Sequence, residues 1–168
     1  MPHLRASVVA VLLVLLSSVA ATAGTLDGRV IRIVDGDTIH VRVGTRVEKV
    51  RYIGVDTPEV RHPLKGEEPG GRQAAAVNRA LVGARAVRLE TDVQSHDRHG
   101  RLLAYVWVGE TMVNAELVRR GYAQALTVPP NVRHQSLFLQ LQREARNAGR
   151  GLWRPAHAWA GEPAASPR

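Results

Sequence analysis

Between residues 25 and 55 the apolar side chains recur at alternate positions, and this pattern restricts the chain more than any other feature of it. Val30, Ile31, Ile33 and Val34 form a first apolar group, Ile39, Val41 and Val43 follow with a period of two, and residues 47–55 read as a third run. A period of two sends successive side chains to opposite faces of a sheet, so the stretch predicts half-buried strands and not helices. Asp35-Gly36 between the first two runs is a two-residue hairpin signal, and Gly44-Thr45 marks the next reversal. Three consecutive strands make a β-meander.

Downstream the period changes. The Ala-rich segment 72–81 predicts a helix closed by Gly83. Segments 86–91 and 102–108 read as two further strands, joined by the charged stretch 92–101. A short helix is expected over 114–120, with Val113, Leu117 and Val118 inward, Glu116 and Arg120 spaced for an i,i+4 pair, and Gly121 at its C′ position. Residues 123–131, with Pro129-Pro130, read as irregular. The last helix spans 134–147 on a stripe of Leu137, Leu141 and Ala145, and Leu152-Trp153 is expected to pin the chain end to the core. Five strands interleaved with three helices predict an α+β, mainly β fold: a five-stranded OB-type Greek-key barrel with three α-helices. A generic α+β sheet fits the same pattern nearly as well.

The ends read differently from the middle. Arg5, the apolar run 8–16 and Ala21-Thr22-Ala23 have the layout of a signal peptide over residues 1–23, with a run too short for a comfortable membrane span. A signal anchor is the other reading of that segment. The expectation is an exported protein, secreted or periplasmic, with its domain over residues 24–153, no stable membrane anchor and a disordered Pro/Ala-rich tail over 154–168. The chain has no cysteine, so neither disulfides nor a lipid-bearing cysteine are available, and the domain depends on its core alone. The formal net charge is +8, one unit of which leaves with Arg5. That excess favours a polyanionic partner, a nucleic acid or an anionic envelope surface.

The chemistry-bearing residues cluster around the third strand. Asp35-Gly36-Asp37-Thr38 places Asp37 just after a turn, where its carboxylate is expected to be solvent-accessible; read alone, the motif is equally a solvated turn. Asp56 stands at the end of an apolar strand, where barrel strands deliver side chains to a mouth. Two carboxylates, a carbonyl such as that of Thr57 and several waters suit Ca²⁺ at about 2.3–2.6 Å. No cysteine and no close histidine pair argue against structural zinc. Arg51 lies among Val50, Tyr52 and Ile53, and a guanidinium there needs an anion, either a carboxylate or a substrate phosphate. Glu59, aimed away from the strand by Pro58, is placed to take a proton from water, although spacing alone favours a surface glutamate. Arg101 follows Gly100 at the entry to the fifth strand.

Taken in order, Asp-Gly-Asp-Thr at 35–38, Arg-Tyr-Ile-Gly-Val-Asp-Thr-Pro-Glu at 51–59, His62-Pro63, Asp-Arg-His-Gly-Arg-Leu-Leu-Ala-Tyr-Val at 97–106, Met112-Val113-Asn114, the run 117–121 and Gly151-Leu152-Trp153 resemble the staphylococcal (micrococcal, thermo-) nuclease family from about residue 26 to residue 153. The resemblance implies an OB-type barrel and a Ca²⁺-dependent phosphodiesterase acting on DNA and RNA, here expected as a monomer. It implies Asp37 and Asp56 as Ca²⁺ carboxylates, Thr57 as a backbone-carbonyl ligand, Glu59 as general base, and Arg51 and Arg101 as clamps on the scissile phosphate, with 3′-phosphate ends as products.

The chain departs from the family where tyrosines contact the nucleotide. His99 occupies one such position and is a candidate substrate contact, and segment 126–131 lacks the others. Three other readings compete: a catalytically silent OB-type module that binds single-stranded nucleic acid, a different nuclease type with a metal site built on His96 and His99, and a merely basic structural envelope protein, for which the polar loops are too specific. The first is disfavoured because all five catalytic side chains are present, the second because no third ligand lies nearby.

Overall fold

The computed structural model describes residues 24–60 and 66–154. The leader over 1–23 and most of the tail over 154–168 lie outside the described residues.

β1 (Thr25–Ile33), β2 (Thr38–Val43) and β3 (Arg46–Tyr52) form the antiparallel meander that the alternating pattern predicts. β5 (Ala86–Glu90) adds to the other edge of β1 and pairs in turn with β6 (Leu102–Val108), whose far end meets the short β7 (Thr111–Met112). β6 then runs parallel to β3, Val50 opposite Leu102 and Tyr52 opposite Ala104. That last pairing closes five strands into a barrel, and closure leaves no long edge exposed. The inward positions Val30, Ile39, Val41, Val50, Leu89, Leu102 and Val106 are buried and fill it. A bulge in β1 between Val30 and Arg32 absorbs Ile31, which is left 44% exposed outside the alternation.

Three helices cover the barrel: α1 (Gly71–Val82), α2 (Val113–Arg119) and α3 (Gln135–Asn147). α2 buries Val113, Leu117 and Val118, and Arg120 Nε donates to Glu116 at 2.8 Å, the i,i+4 pair read from the spacing. Gly121 adopts φ +78° at the C′ position. The stripe on α3 is shifted from the expected one. Phe138, Leu141 and Ala145 are buried, while Leu137 stays 37% exposed. Leu137 and Phe138 are neighbours on the helix surface, and the larger ring takes the inner place. Leu152 N–H donates to the Gly121 carbonyl, and the Arg146 guanidinium lies 4.1 Å over the Trp153 ring, so the chain end is pinned as expected.

Two further expectations change. The third strand does not continue to Val55. It stops at Tyr52, Gly54 turns the chain at φ +78°, and the short β4 (Val55–Asp56) pairs with β8 (Gln124–Ala125) in the segment read as irregular. The Phe138 ring fills the space where a side chain at Gly54 would stand, so the break is set by a contact from α3. The first hairpin is also longer than two residues, since Ile33 pairs with Ile39 and Val34 N–H reaches the Thr38 carbonyl at 2.9 Å. Gly36 serves packing there: a Cβ would lie 2.7 Å from Thr57 Oγ1 and 2.8 Å from Ala74 Cβ.

Buried polar groups fasten these pieces together. Tyr52 Oη donates to Asn78 Oδ1 at 2.8 Å, and Asn78 Nδ2 donates to the Asp35 carbonyl at 3.0 Å, so α1 holds the turn that carries Asp37. Asn114 accepts from Val106 N–H and donates to the Ile53 carbonyl, both at 2.9 Å, joining α2, β6 and the end of β3. Each buried group left unpaired would cost about 1–3 kcal/mol, so these contacts set the geometry of the barrel mouth.

Candidate metal and phosphate site

Asp37 leaves the first hairpin and, contrary to the expectation of a solvent-accessible carboxylate, is only 4% exposed. Its longer loop folds back beneath Thr57 instead of projecting into water. Asp37 Oδ2 accepts from Thr57 N–H at 2.8 Å and Thr57 Oγ1 at 3.0 Å, and Oδ1 accepts from Thr38 Oγ1 at 3.1 Å. Burial pushes its carboxyl up to about 7, against the pull of Arg51 and the Thr57 donors and with the help of Asp35. Desolvation favours the protonated form, so the ionised carboxylate needs compensating positive charge.

Arg51 supplies part of that charge. Its Nη1 lies 3.0 Å from Asp37 Oδ2 and its Nη2 2.8 Å from Asp56 Oδ1, while Nη1 also donates to the Val55 carbonyl at 2.9 Å. The anion demanded by a guanidinium on an apolar strand is therefore a pair of carboxylates. Asp56, at the end of β4, keeps 59% of its side chain exposed.

This donor set fits a hard cation. Asp37 and Asp56 already converge on one positive group, and the N–H and hydroxyl of Thr57 are used by Asp37, leaving the Thr57 carbonyl as its remaining donor. Among the described residues no group of three or more His, Cys, Asp or Glu is placed to hold a metal. Two carboxylates and a carbonyl leave the other positions of a calcium ion to water and substrate, which suits a catalytic site better than a closed cage.

Arg101 stands across a cavity of about 410 Å³ whose lining includes Arg51, Asp97, His99, Leu103, Leu126 and Val128. Asp97 builds this wall. Its Oδ1 accepts from His99 N–H at 2.9 Å and Arg101 N–H at 3.0 Å, and its Oδ2 accepts from Arg101 Nε at 2.6 Å. Gly100 turns the chain at φ +73° in between. Burial opposes ionisation of Asp97, but the N–H groups and head of Arg101, with the N–H of His99, outweigh it and hold the carboxyl below its ordinary value. Sequence reading overlooked Asp97 as a positioning residue; the signal was an aspartate two residues before His99, the spacing of an Asx turn. It likewise overlooked Asn131, whose amide accepts from Gln94 N–H and donates to the Gln94 carbonyl, both at 2.8 Å, tying two walls of the cavity together.

The remaining candidates are placed less centrally. The His99 ring accepts from Arg98 Nε at 3.2 Å and faces the cavity, while the His96 ring meets Ser95 Oγ at 3.1 Å, so the two imidazoles do not converge. Glu59 is exposed and is held by main-chain contacts, its N–H donating to Glu68 Oε2 at 3.0 Å and its carbonyl accepting from Glu68 N–H at 2.9 Å. Among the described residues, its carboxylate touches neither Asp37, Asp56 nor Arg51.

Sequence comparison identifies the family of the chain. Residues 49–155 match the family model described as staphylococcal nuclease homologue. The chain is 40% identical over 125 residues to a thermonuclease of Staphylococcus hyicus, covering 74% of each protein. It is 40% identical over 122 residues to a thermonuclease of Staphylococcus intermedius, covering 73% of each. It is 37% identical over 131 residues to the endonuclease YncB of Bacillus subtilis strain 168, covering 77% of this chain and 60% of that one. The chain is therefore a member of the staphylococcal nuclease family.

Proposed function

We propose that this protein is an exported, monomeric, calcium-dependent nuclease that hydrolyses phosphodiester bonds of DNA and RNA and leaves 3′-phosphate ends. The observation that carries the reading is the meeting of two guanidinia, Arg51 and Arg101, on one cavity beside the Asp37–Asp56 pair. Planar guanidinia match phosphate oxygens bidentately, and fixed donors stabilise the charge that builds on those oxygens during displacement. The thermonuclease and endonuclease relatives support the same chemistry. The apolar leader supports export, and among the described residues no helix is long and apolar enough to cross a membrane.

Asp37, Asp56 and the Thr57 carbonyl would hold the calcium ion, whose charge when bound would polarise the phosphate. Arg101, anchored through Nε to Asp97, presents its terminal nitrogens to the phosphate from one wall. Arg51 does so from the floor, sharing its head with the carboxylates. A water oxygen bonds to phosphorus in line with the 5′-oxygen, the P–O5′ bond breaks, the attacking water gives up a proton to Glu59, and the departing 5′-oxygen takes a proton from a second, solvent water, whose hydroxide is neutralised by the proton that Glu59 returns to solvent. In this reading the exposed Glu59 carboxylate turns toward the cavity once substrate is present.

Incubating the chain with single-stranded DNA, with calcium and then with a chelator, tests the proposal. Cleavage with calcium only, and none by Arg101→Ala, is the expected result. Binding without cleavage in both conditions would instead establish the silent OB-type module. End-group analysis of DNA and RNA products checks the 3′-phosphate.

A further inference from the structure

Three basic side chains lie in one row across the outer face of the barrel, outside the cavity. Arg32 on β1 is the cross-strand partner of His40 on β2, and His40 that of Lys49 on β3. Directly opposed residues of antiparallel strands project from the same face, and like charges so placed destabilise a sheet. The strain registers in His40, whose imidazole is held below its ordinary value by burial first and then by Arg32 and Lys49. Among the described residues no acidic side chain within ion-pair distance relieves it. Arg46, Arg51, Arg101 and Arg133 each have a carboxylate within ion-pair distance, whereas among the described residues no ion pair involves Arg32 or Lys49, both of which are exposed.

The row adjoins the site. Lys49 and Arg51 are two residues apart on β3, so they project from the same face about 6.8 Å apart along the strand, while Val50 and Tyr52 between and beyond them are buried. From Lys49 the steps to His40 and Arg32 each cross one strand spacing, about 4.8 Å. The step along β3 is of the size that separates successive phosphates along an extended nucleic-acid strand, and the long side chains of Arg32 and Lys49 can reach across the shorter steps between strands. A ladder of uncompensated positive charge that starts beside a phosphate clamp is complementary to a polyanion leaving that clamp.

We propose that the outer face of β1, β2 and β3 binds the phosphodiester backbone of the substrate strand beyond the scissile phosphate, with Arg32 and Lys49 as its principal contacts. The proposal rests on the nuclease reading above and adds to it a track that favours long substrates over short ones. His40, short of positive charge at neutral pH, contributes a hydrogen bond to the same backbone.

The test measures binding of the chain to a single-stranded deoxyoligonucleotide of about 20 nucleotides by fluorescence anisotropy, in chelator, over a series of salt concentrations. Each phosphate contact contributes about 0.7 to the slope of log affinity against log salt for single strands, so Arg32→Gln/Lys49→Gln is expected to flatten that slope by about 1.4. A charge-matched control, Arg79→Gln/Arg143→Gln, removes exposed arginines from α1 and α3 and is expected to flatten it by less than half as much. Equal slopes for the two double variants would overturn the proposal, since net charge alone would then explain the effect. So would a patch variant that loses binding to phosphatidylglycerol vesicles with its oligonucleotide slope intact, which would make the row a membrane contact. In calcium, the patch variant is expected to raise KM for the oligonucleotide by a larger factor than for a dinucleotide. If the unaltered chain cleaves neither substrate, the nuclease reading fails while the salt slopes still decide the track. If it cleaves both and the slopes agree, the track alone fails.

Discussion

Arg51 binds Asp37 through Nη1 at 3.0 Å while its other terminal nitrogen holds Asp56 at 2.8 Å, so one guanidinium is shared between the two carboxylates proposed to hold calcium. A cation arriving at Asp37 and Asp56 competes for the oxygen lone pairs that now face Arg51. In the proposed mechanism, metal binding would thus be coupled through shared atoms to release of the arginine toward a phosphate.

Arg51→Ala is expected to lower kcat by about 10³-fold or more, the scale at which an arginine that stabilises phosphoryl charge acts. Arg51→Lys is expected to recover little, because a single ammonium does not reproduce the fork that reaches two carboxylates and a phosphate. Single-turnover cleavage of a labelled oligonucleotide checks both. Activity within a fewfold of the unaltered protein in Arg51→Ala and Arg101→Ala would remove the clamp from the mechanism.

Calcium affinity is expected to rise with pH and then level off. The Asp37 carboxyl, raised by burial to about 7 in the folded protein, holds its proton below that pH, and the proton excludes the metal. Apparent affinity therefore grows from pH 5 to about pH 7 and is flat above it. The metal-free protein shows the opposite sign: a carboxyl raised on folding stabilises the folded state below its unfolded value, and that contribution is lost as pH rises toward 7. Calorimetric calcium titrations and urea unfolding across this range measure the two trends, and a pH-independent calcium affinity would contradict the first.

Asp97 is expected to matter for turnover through Arg101, which it holds in place. It fixes Arg101 through both its main-chain and side-chain N–H groups. Asp97→Ala frees that side chain, and a displacement of about 1 Å at such a site costs about 10²-fold in rate. The pH trend is the reverse of that of Asp37. A carboxyl lowered on folding stabilises the protein above its unfolded value, and this contribution disappears as pH falls through the folded one. Kinetics of Asp97→Ala alongside its thermal unfolding separate the positioning effect from a general loss of fold.

Gly36→Ala is expected to weaken calcium binding and destabilise the fold together. The added methyl would meet Thr57 and Ala74 at 2.7–2.8 Å, and overpacking of this kind typically costs about 1–3 kcal/mol. Because Thr57 is the residue displaced, its carbonyl moves with it. Ala74→Gly in the same chain relieves one of the two contacts and is expected to restore part of the stability. Urea unfolding with and without calcium reads both effects, and a variant as stable as the parent would show that the loop yields freely.

The sequence alone determined the local structure and the identity of the chemical groups. Alternating apolar residues dictated the meander, because one face of each strand must leave water. Helical spacing set α2 with its Glu116–Arg120 pair, and the ordered motifs around Arg51 and Arg101 named the chemistry. Only the tertiary structure decided which oxygen faces which nitrogen. The burial of Asp37 depends on Thr57, twenty residues away, and on α1 closing over the turn. The stop at Tyr52 depends on Phe138 filling the space at Gly54, and the pairing of β4 with β8 brings together segments with no local signal for each other. The β3–β6 seam that sets Arg51 and Arg101 on one cavity joins strands far apart in sequence. Such contacts are properties of closure: they form only when distant segments share a core, and no periodicity within either segment encodes them.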